Sequence, residues 1–185
     1  MGQIKDGKIL GELYKPTVPR HLVPHGPQLK NGFFRCEKKC HTCKRSIQIE
    51  SFVSPWDGRR WRVRGHITCT TPSVVYVVTC DDHPDYMYVG STTNLRRRWA
   101  NHKSDIKHNK VTKCSLTRHV CEGEHPMGRD PSVLKIFSIE HVPREERLLE
   151  RELYWQANLG TLACGWNERR DFNSVLRYRV QYGKV

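Results

Sequence analysis

Two β-branched runs separated by a short polar stretch constrain this chain more than any other feature. The runs are VVYVVT at Val74–Thr79 and YMYVG at Tyr86–Gly90, both rich in residue types that favour strands. A short connection that contains Pro84 separates them, and its length is typical of a turn between neighbouring elements. The sequence therefore predicts a β-hairpin at the centre of the fold.

Two amphipathic helices and a further strand follow this hairpin. Thr93 or Asn94 can cap a helix over LRRRWANHKSDI, whose apolar positions recur at helical spacing. Val133–Val142 alternates well enough to predict a strand, and Pro143 then begins a second helix that Gly160 ends. We therefore expect an α/β fold, with a small central antiparallel β-sheet flanked by helices and preceded by a cysteine-rich zinc-binding segment.

Composition divides the chain into four parts. Residues 1–35 are rich in Pro and Gly, which predicts an extended lead-in or linker. Residues 36–72 hold clustered cysteines and a hairpin pattern around the turn signal Asp57-Gly58. The main domain is expected over residues 73–172, and residues 173–185 form a basic tail. One main domain with a small satellite is the expected organisation.

The charge of the chain indicates a polyanionic partner. Thirty-two Lys and Arg oppose nineteen Asp and Glu, which gives a net charge of +13. A phosphate backbone is the commonest partner for such a chain, although a generically basic or membrane-surface protein has the same balance. No apolar run is long enough to span a membrane and no signal-peptide core is present, so we expect a nuclear or cytoplasmic protein that is not secreted.

The eight cysteines predict metal binding rather than disulfides, because no secretion signal places them in an oxidising compartment. Cys36, Cys40 and Cys43 have the short spacing of a zinc knuckle, and Cys69 is the natural fourth ligand. His41 is a possible substitute. Incidental cysteines are the alternative interpretation. A structural zinc site is expected here, since four protein ligands leave no open position for substrate.

A second zinc site is predicted from residues in the connection between the two strands of the hairpin and from residues after the first helix. Cys80 and His83 have knuckle spacing, and zinc accepts sulfur or nitrogen. His119 and His125 would complete the site, with Cys121 as a competitor. The alternative is that these are ordinary loop residues.

Three polar side chains on the predicted helices are candidate functional residues. Glu152 lies on the stripe of the second helix that should face the core, where an unpaired carboxylate is costly. An ion pair with an arginine, or a rotated helix, would also explain it. Arg98 and His102 share one face of the first helix, an arrangement that a solvated basic face would produce as well.

Taken in order along the chain, these residues resemble the motifs of the GIY-YIG nuclease family. Val74-Val75-Tyr76 matches the first motif only in its tyrosine, and Tyr88-Val89-Gly90 matches the second with valine for isoleucine. The remaining polar positions of the family fall on Arg98, His102, Glu152 and Asn167. The segments RCEKKCHTC, ITCTTPSVVYVVTC and TRHVCEGEHP are more closely similar to the nuclease domains of Penelope-like retroelements.

The resemblance implies a DNA endonuclease, or nickase, of retroelement origin that depends on Mg²⁺ or Mn²⁺, with Zn²⁺ as a structural ion. Glu152 would be the sole protein ligand of the catalytic ion, and Asn167 would close the domain. Tyr76 would be the general base with His102 as its relay, Tyr88 would orient the water or phosphate, and Arg98 would hold the phosphate oxygens. Cations of the first helix and the loop after it would contact DNA, namely Arg96, Arg97, Lys103, Lys107, Lys110 and Lys113.

Rival functions and possible partners remain at this point. A non-catalytic zinc-dependent nucleic-acid-binding module derived from such a nuclease has the same motifs. A zinc-dependent protein-interaction adaptor would leave the charge of +13 without a purpose. The expected partner is DNA and not a membrane, with a second copy of the chain or the reverse transcriptase of a parent element as a further partner.

Overall fold

The structure, a computed structural model, describes residues 29–36, 38, 40–126 and 128–168. Most of the predicted lead-in and the whole predicted basic tail lie outside these residues. Within the described ranges, none of the helices is long and apolar enough to cross a membrane.

The centre of the fold is a three-stranded antiparallel sheet. It consists of β5 (Val74–Cys80), β6 (Met87–Thr92) and β7 (Leu134–His141), in the order β6-β5-β7. Strand β5 is buried along almost its whole length because it lies between the other two. The predicted hairpin is therefore present, and the third predicted strand joins the free side of β5.

Three helices accompany the sheet. Helix α2 (Leu95–Lys107) begins at Asn94, whose side chain accepts a hydrogen bond from the backbone N–H of Arg97, as the sequence predicts. Helix α4 (Leu148–Asn158) begins later than predicted, because residues Glu145–Arg147 form a 3₁₀ turn, a common start to a helix. Helix α3 (Ser115–Glu122) was not predicted.

The cysteine-rich segment is built from very short elements. Strand β1 (Gly32–Phe34) pairs in parallel with β4 (His66–Thr68), and β2 (Ser51–Val53) forms a hairpin with β3 (Arg60–Arg62). A single helical turn, α1 (His41–Lys44), lies between the first two strands. The hairpin is the one predicted around Asp57-Gly58, whereas β1 falls inside the expected extended lead-in.

This segment is joined to the central sheet by backbone hydrogen bonds. The Ile47 N–H donates to the Ile136 carbonyl, and the Arg64 N–H donates to the Ile139 carbonyl, at 3.2 and 2.9 Å. These bonds satisfy groups on the outer side of β7, which would otherwise be an open strand edge. The inner face of the hairpin also packs on the domain, with the rings of Trp61 and Trp155 5.2 Å apart.

Candidate active site and metal clusters

Tyr76 is at the centre of a buried polar cluster between the sheet and α2. Its hydroxyl oxygen accepts a hydrogen bond from Arg98 Nε at 3.1 Å and lies 2.9 Å from His102 Nε2. Arg98 and His102 reach it together because they are four residues apart on one face of the helix. Tyr76 is fully buried and His102 nearly so. The structure thus brings together three of the residues that the sequence singles out.

The hydrogen bonds of this cluster indicate its protonation state. Because the Tyr76 oxygen accepts from Arg98, its own proton can be donated to His102 Nε2. The second ring nitrogen of His102, Nδ1, faces Cys114 Sγ at 3.8 Å. Burial and the charge of Arg98 lower the pKa of His102 to about 3, and burial raises the pKa of Tyr76 to about 12. Both groups are therefore neutral at physiological pH.

Tyr88 and Gly90 complete the wall of this cluster on β6. The rings of Tyr76 and Tyr88 lie 6.4 Å apart, and that of Tyr88 lies 5.9 Å from His102. Burial raises the pKa of Tyr88 well above its usual value. A Cβ atom at Gly90 would lie only 2.6 Å from the Tyr76 hydroxyl oxygen. Glycine is needed at this position because the phenol of Tyr76 packs directly on the backbone.

Glu152 is half-buried on α4 and accepts hydrogen bonds through both carboxylate oxygens. Ser91 Oγ donates to Oε2 at 2.5 Å, and Gln156 Nε2 donates to Oε1 at 3.0 Å. The carboxylate is near the tyrosine cluster, since its charge adds to the effect of burial in raising the pKa of Tyr76. Among the described residues, the buried Gln156 Oε1 has no hydrogen-bond partner. A half-buried carboxylate that two hydrogen bonds hold in place is an oxygen donor that suits a hard divalent cation.

Asn167 binds the outer edge of the sheet rather than the tyrosine cluster. Its side-chain oxygen accepts from the Val89 N–H, and its side-chain nitrogen donates to the Val89 carbonyl, both at 2.8 Å. The amide thus takes the place of a neighbouring strand at the β6 edge. Its contacts are those of a residue that holds β6, and with it Tyr88, in position.

The first cysteine cluster forms as the spacing predicts. The sulfurs of Cys36, Cys40, Cys43 and Cys69 all lie within 4.8 Å of one another. Cys43 Sγ is 3.5 Å from the sulfurs of Cys36 and Cys69, close to the separation of about 3.8 Å that a tetrahedral zinc–thiolate site requires. Hydrogen bonds from the Cys40 backbone and the Cys69 side chain lower the pKa of Cys36 to about 6. The four cysteines can hold zinc without His41, which is exposed.

Arg96, one of the cations predicted to bind DNA, contacts this cluster. Its Nε donates to Cys69 Sγ at 3.3 Å and its Nη2 donates to Cys36 Sγ at 3.4 Å. These hydrogen bonds raise the pKa of the guanidinium. Of the other helix cations predicted to bind DNA, Arg97 and Lys107 are exposed and Lys103 is partly exposed.

The second predicted cluster also assembles. Ligand atoms of Cys80, His83, His119 and His125 lie within 4.8 Å of one another. Burial and the neighbouring histidines lower the pKa of His119 to about 4, and its buried Nε2 has no partner among the described residues. A neutral, unpartnered imidazole nitrogen is suited to zinc. The competitor, Cys121, lies elsewhere, with its sulfur 3.6 Å from the Ile106 carbonyl.

Sequence reasoning missed several residues that support the site. Ser91 directly follows the YVG motif, so its place in the chain gave a signal. Gln156 follows Glu152 by one helical turn, a spacing that places both side chains on one face of α4. Cys114 gave no signal, because neither its spacing nor its neighbours suggest contact with His102.

The fold and these contacts define an α/β domain with a polar cluster on its sheet and two clusters able to hold metal. Residues 72–163 match the family model of the GIY-YIG catalytic domain. Over these residues the chain is similar to the GIY-YIG catalytic domain, and its antiparallel sheet with flanking helices is the GIY-YIG nuclease-like α/β fold. Nucleases of this family depend on a metal ion, and they act on DNA.

Two solved structures are similar to this chain. One is the catalytic domain of the homing endonuclease I-TevI, 22% identical over 51% of this chain and 96% of that chain, with a TM-score of 0.41. The other is a mutant of the catalytic domain of the intron endonuclease I-TevI, 22% identical over 51% of this chain and 91% of that chain, with a TM-score of 0.42. Among curated proteins, none matches the chain.

Proposed function

We propose that this chain is a DNA endonuclease that nicks DNA with Mg²⁺ or Mn²⁺ at Glu152. The observation that carries the proposal is the contact of the Tyr76 hydroxyl with both Arg98 and His102. A phenol that receives one hydrogen bond and can donate another is suited to moving a proton.

Glu152 is the proposed ligand of the catalytic ion, supported by its half-buried carboxylate, whose charge acts on Tyr76. The ion, when bound, neutralises charge on the scissile phosphate and on the departing oxygen. Ser91 and Gln156 fix the carboxylate by hydrogen bonds, so that its orientation is set before the substrate arrives.

Tyr76 and His102 are proposed to move the proton. Tyr76 accepts a proton from the attacking water while it passes its own proton to His102 Nε2. The low pKa of His102 opposes this transfer in the free protein, and its causes are burial and Arg98. An incoming phosphate offsets the charge of Arg98, which raises the proton affinity of the imidazole. Arg98 binds the phosphate through its planar fork, and Tyr88 orients the water.

Zinc is the proposed structural ion of both clusters. The four cysteines would hold the segment 36–72, and the Cys80 cluster would tie the β5–β6 turn to the loop after α3. The same two clusters support an origin from a Penelope-like retroelement. A second copy of the chain would then be a partner for cutting both strands, and the reverse transcriptase domain of a parent element would be a further partner.

Nicking of supercoiled plasmid by zinc-loaded protein tests the proposal. Glu152→Gln should lower the rate by about 10²–10³-fold, because it removes the charge that binds the ion. Glu150→Gln is the matched control, since Glu150 is exposed and pairs with Arg147. It should nick at nearly the rate of the unmodified chain.

Equal nicking rates for the unmodified chain and Glu152→Gln would overturn the assignment of Glu152 as the ligand of the catalytic ion. DNA binding without cleavage under any divalent ion would favour the rival function, a non-catalytic nucleic-acid-binding module.

A further inference from the structure

The positive charge of the chain is unevenly distributed. Residues 73–168 contain thirteen Lys and Arg and thirteen Asp and Glu, so this region has no net charge. Residues 29–72 contain ten Lys and Arg against three Asp and Glu, a net charge of +7. The region that contains the candidate active site therefore has no general attraction for a polyanion, whereas the cysteine-rich segment has a strong one.

The β2–β3 hairpin buries the aromatic side chains of Phe52 and Trp61 on one face and exposes two arginines on the other. On the inner face, Trp61 packs against Trp155 of α4. On the outer face, Arg60 and Arg62 are exposed. This separation follows from the two-residue period of a strand, which also places these arginines about 7 Å apart.

A groove lies along this outer face. It has a volume of about 470 Å³, and its walls include the cations Lys30, Arg60 and Arg62 and the single carboxylate Glu50. Lys30 pairs with Glu50 at 2.5 Å, and Arg60 Nη1 donates to Ser51 Oγ at 3.2 Å. Three cations around one carboxylate leave an excess of positive charge in a concave surface.

We propose that this groove binds the phosphate backbone of DNA, outside the candidate active site, and supplies much of the affinity. The inference rests on the proposed function, which makes DNA the substrate. Paired arginines on a strand present planar donors that match phosphate oxygens. Trp155 lies three residues after Glu152 on α4, so the same helix supports the hairpin and carries the catalytic carboxylate. DNA held in the groove is thereby held at a fixed position relative to Glu152.

Binding of a fluorescent DNA duplex to the zinc-loaded full chain, without added Mg²⁺, tests the inference over a range of salt concentrations. Arg60→Gln with Arg62→Gln should raise the Kd about tenfold or more. It should also reduce the slope of log K against log salt by about 2, because two phosphate contacts are lost. Melting temperature and zinc content check that the variant is folded.

Arg129→Gln with Lys135→Gln is the matched control. It removes the same charge from exposed or partly exposed positions in the neutral region. An equal loss of DNA affinity in both variants would overturn the proposal that the groove binds DNA, since net charge alone would then explain binding. An unchanged Kd and salt slope in the Arg60 and Arg62 variant would overturn it too. Tighter binding of an RNA duplex through the same arginines would assign the groove to RNA instead.

Cleavage separates failure of this inference from failure of the proposed function. If the unmodified chain nicks DNA and the Arg60 and Arg62 variant nicks normally at saturating DNA, with a raised KM, both stand. If the unmodified chain fails to cleave but the variant still loses DNA affinity, the groove stands and the nuclease proposal falls.

Discussion

The cysteine-rich segment and the GIY-YIG domain maintain their structure by different means. Strands of the segment are three residues long, too short to bury a core by themselves, and the segment contains four clustered cysteines. Strands of the domain are six to eight residues long, and β5 alone buries five successive apolar side chains. The comparison teaches that the segment needs a cross-link and a neighbour, whereas the domain has its own core.

The two regions also divide charge and chemistry. The domain holds the Tyr76, Arg98 and His102 cluster in a region without net charge, and the segment holds the excess of cations. Removing either part should therefore produce a different defect.

Loss of the cysteine cluster should have the largest effect. Cys43→Ser removes a buried sulfur that contacts two others, so we expect loss of one zinc ion per chain and unfolding of residues 40–69. The free energy of folding lost should exceed about 5 kcal/mol, given the strength of structural zinc binding. Zinc quantification measures the loss of the ion, and hydrogen exchange measures the unfolding of residues 40–69. Cys164→Ser is the control, as Cys164 belongs to neither cluster. Unchanged protection of 40–69 in Cys43→Ser would show that the segment does not depend on metal.

Loss of the packing between the cysteine-rich segment and the domain should have the next largest effect. Trp61→Ala removes a buried ring that packs on Trp155, which should cost about 3–5 kcal/mol. Chemical unfolding should then show two transitions, with the segment melting first. Val53→Ala, on an exposed position of the same hairpin, should stay within about 1 kcal/mol. If Trp61→Ala unfolds in one cooperative transition and loses as little stability as Val53→Ala, the packing of Trp61 on Trp155 contributes little to stability.

The smallest effect should be a dependence of stability on pH that belongs to the domain. The pKa of His102 is about 3 in the folded chain, below its ordinary value of 6.5. Between these values the unfolded chain binds a proton that the folded chain does not, so stability falls as the pH falls. As the pH is lowered from 6 to 4, the free energy of unfolding of the unmodified chain should fall more steeply than that of His102→Gln. The difference between the two slopes should be about 1.4 kcal/mol per pH unit. Urea unfolding of both proteins gives the slopes, and parallel curves would refute the assignment of this effect to His102.

Much of the domain was predictable because its signals are local. The β-branched runs, the cap at Asn94 and the alternation of Val133–Val142 each fall within one element. Boundaries moved by a residue or two, and the second helix lost its first turn to a 3₁₀ turn. Helix α3 was missed because eight residues carry too little periodic pattern, and β1 because three residues carry almost none.

Contacts between distant residues were harder to predict. The spacing of cysteines and histidines predicted the members of both clusters, since the residue types that bind zinc are few and the chemistry is restrictive. Nothing in the spacing indicated that Arg96 donates to cysteine sulfurs or that Cys114 lies beside His102. Glu152 was anomalous on its helix, but its hydrogen bond from Ser91 joins residues on different elements.

The sequence by itself determined the three strands of the central sheet, the helices α2 and α4, the residue types of the two metal clusters and the principal polar residues of the candidate site. These follow from local periodicity, capping and ligand chemistry. Only the tertiary structure decided that the cysteine-rich segment continues the sheet at β7, that Asn167 binds the edge of β6, and that the outer arginines of the hairpin line a groove. The physical reason is that an unpaired strand edge and a cationic surface acquire partners only when the chain has folded.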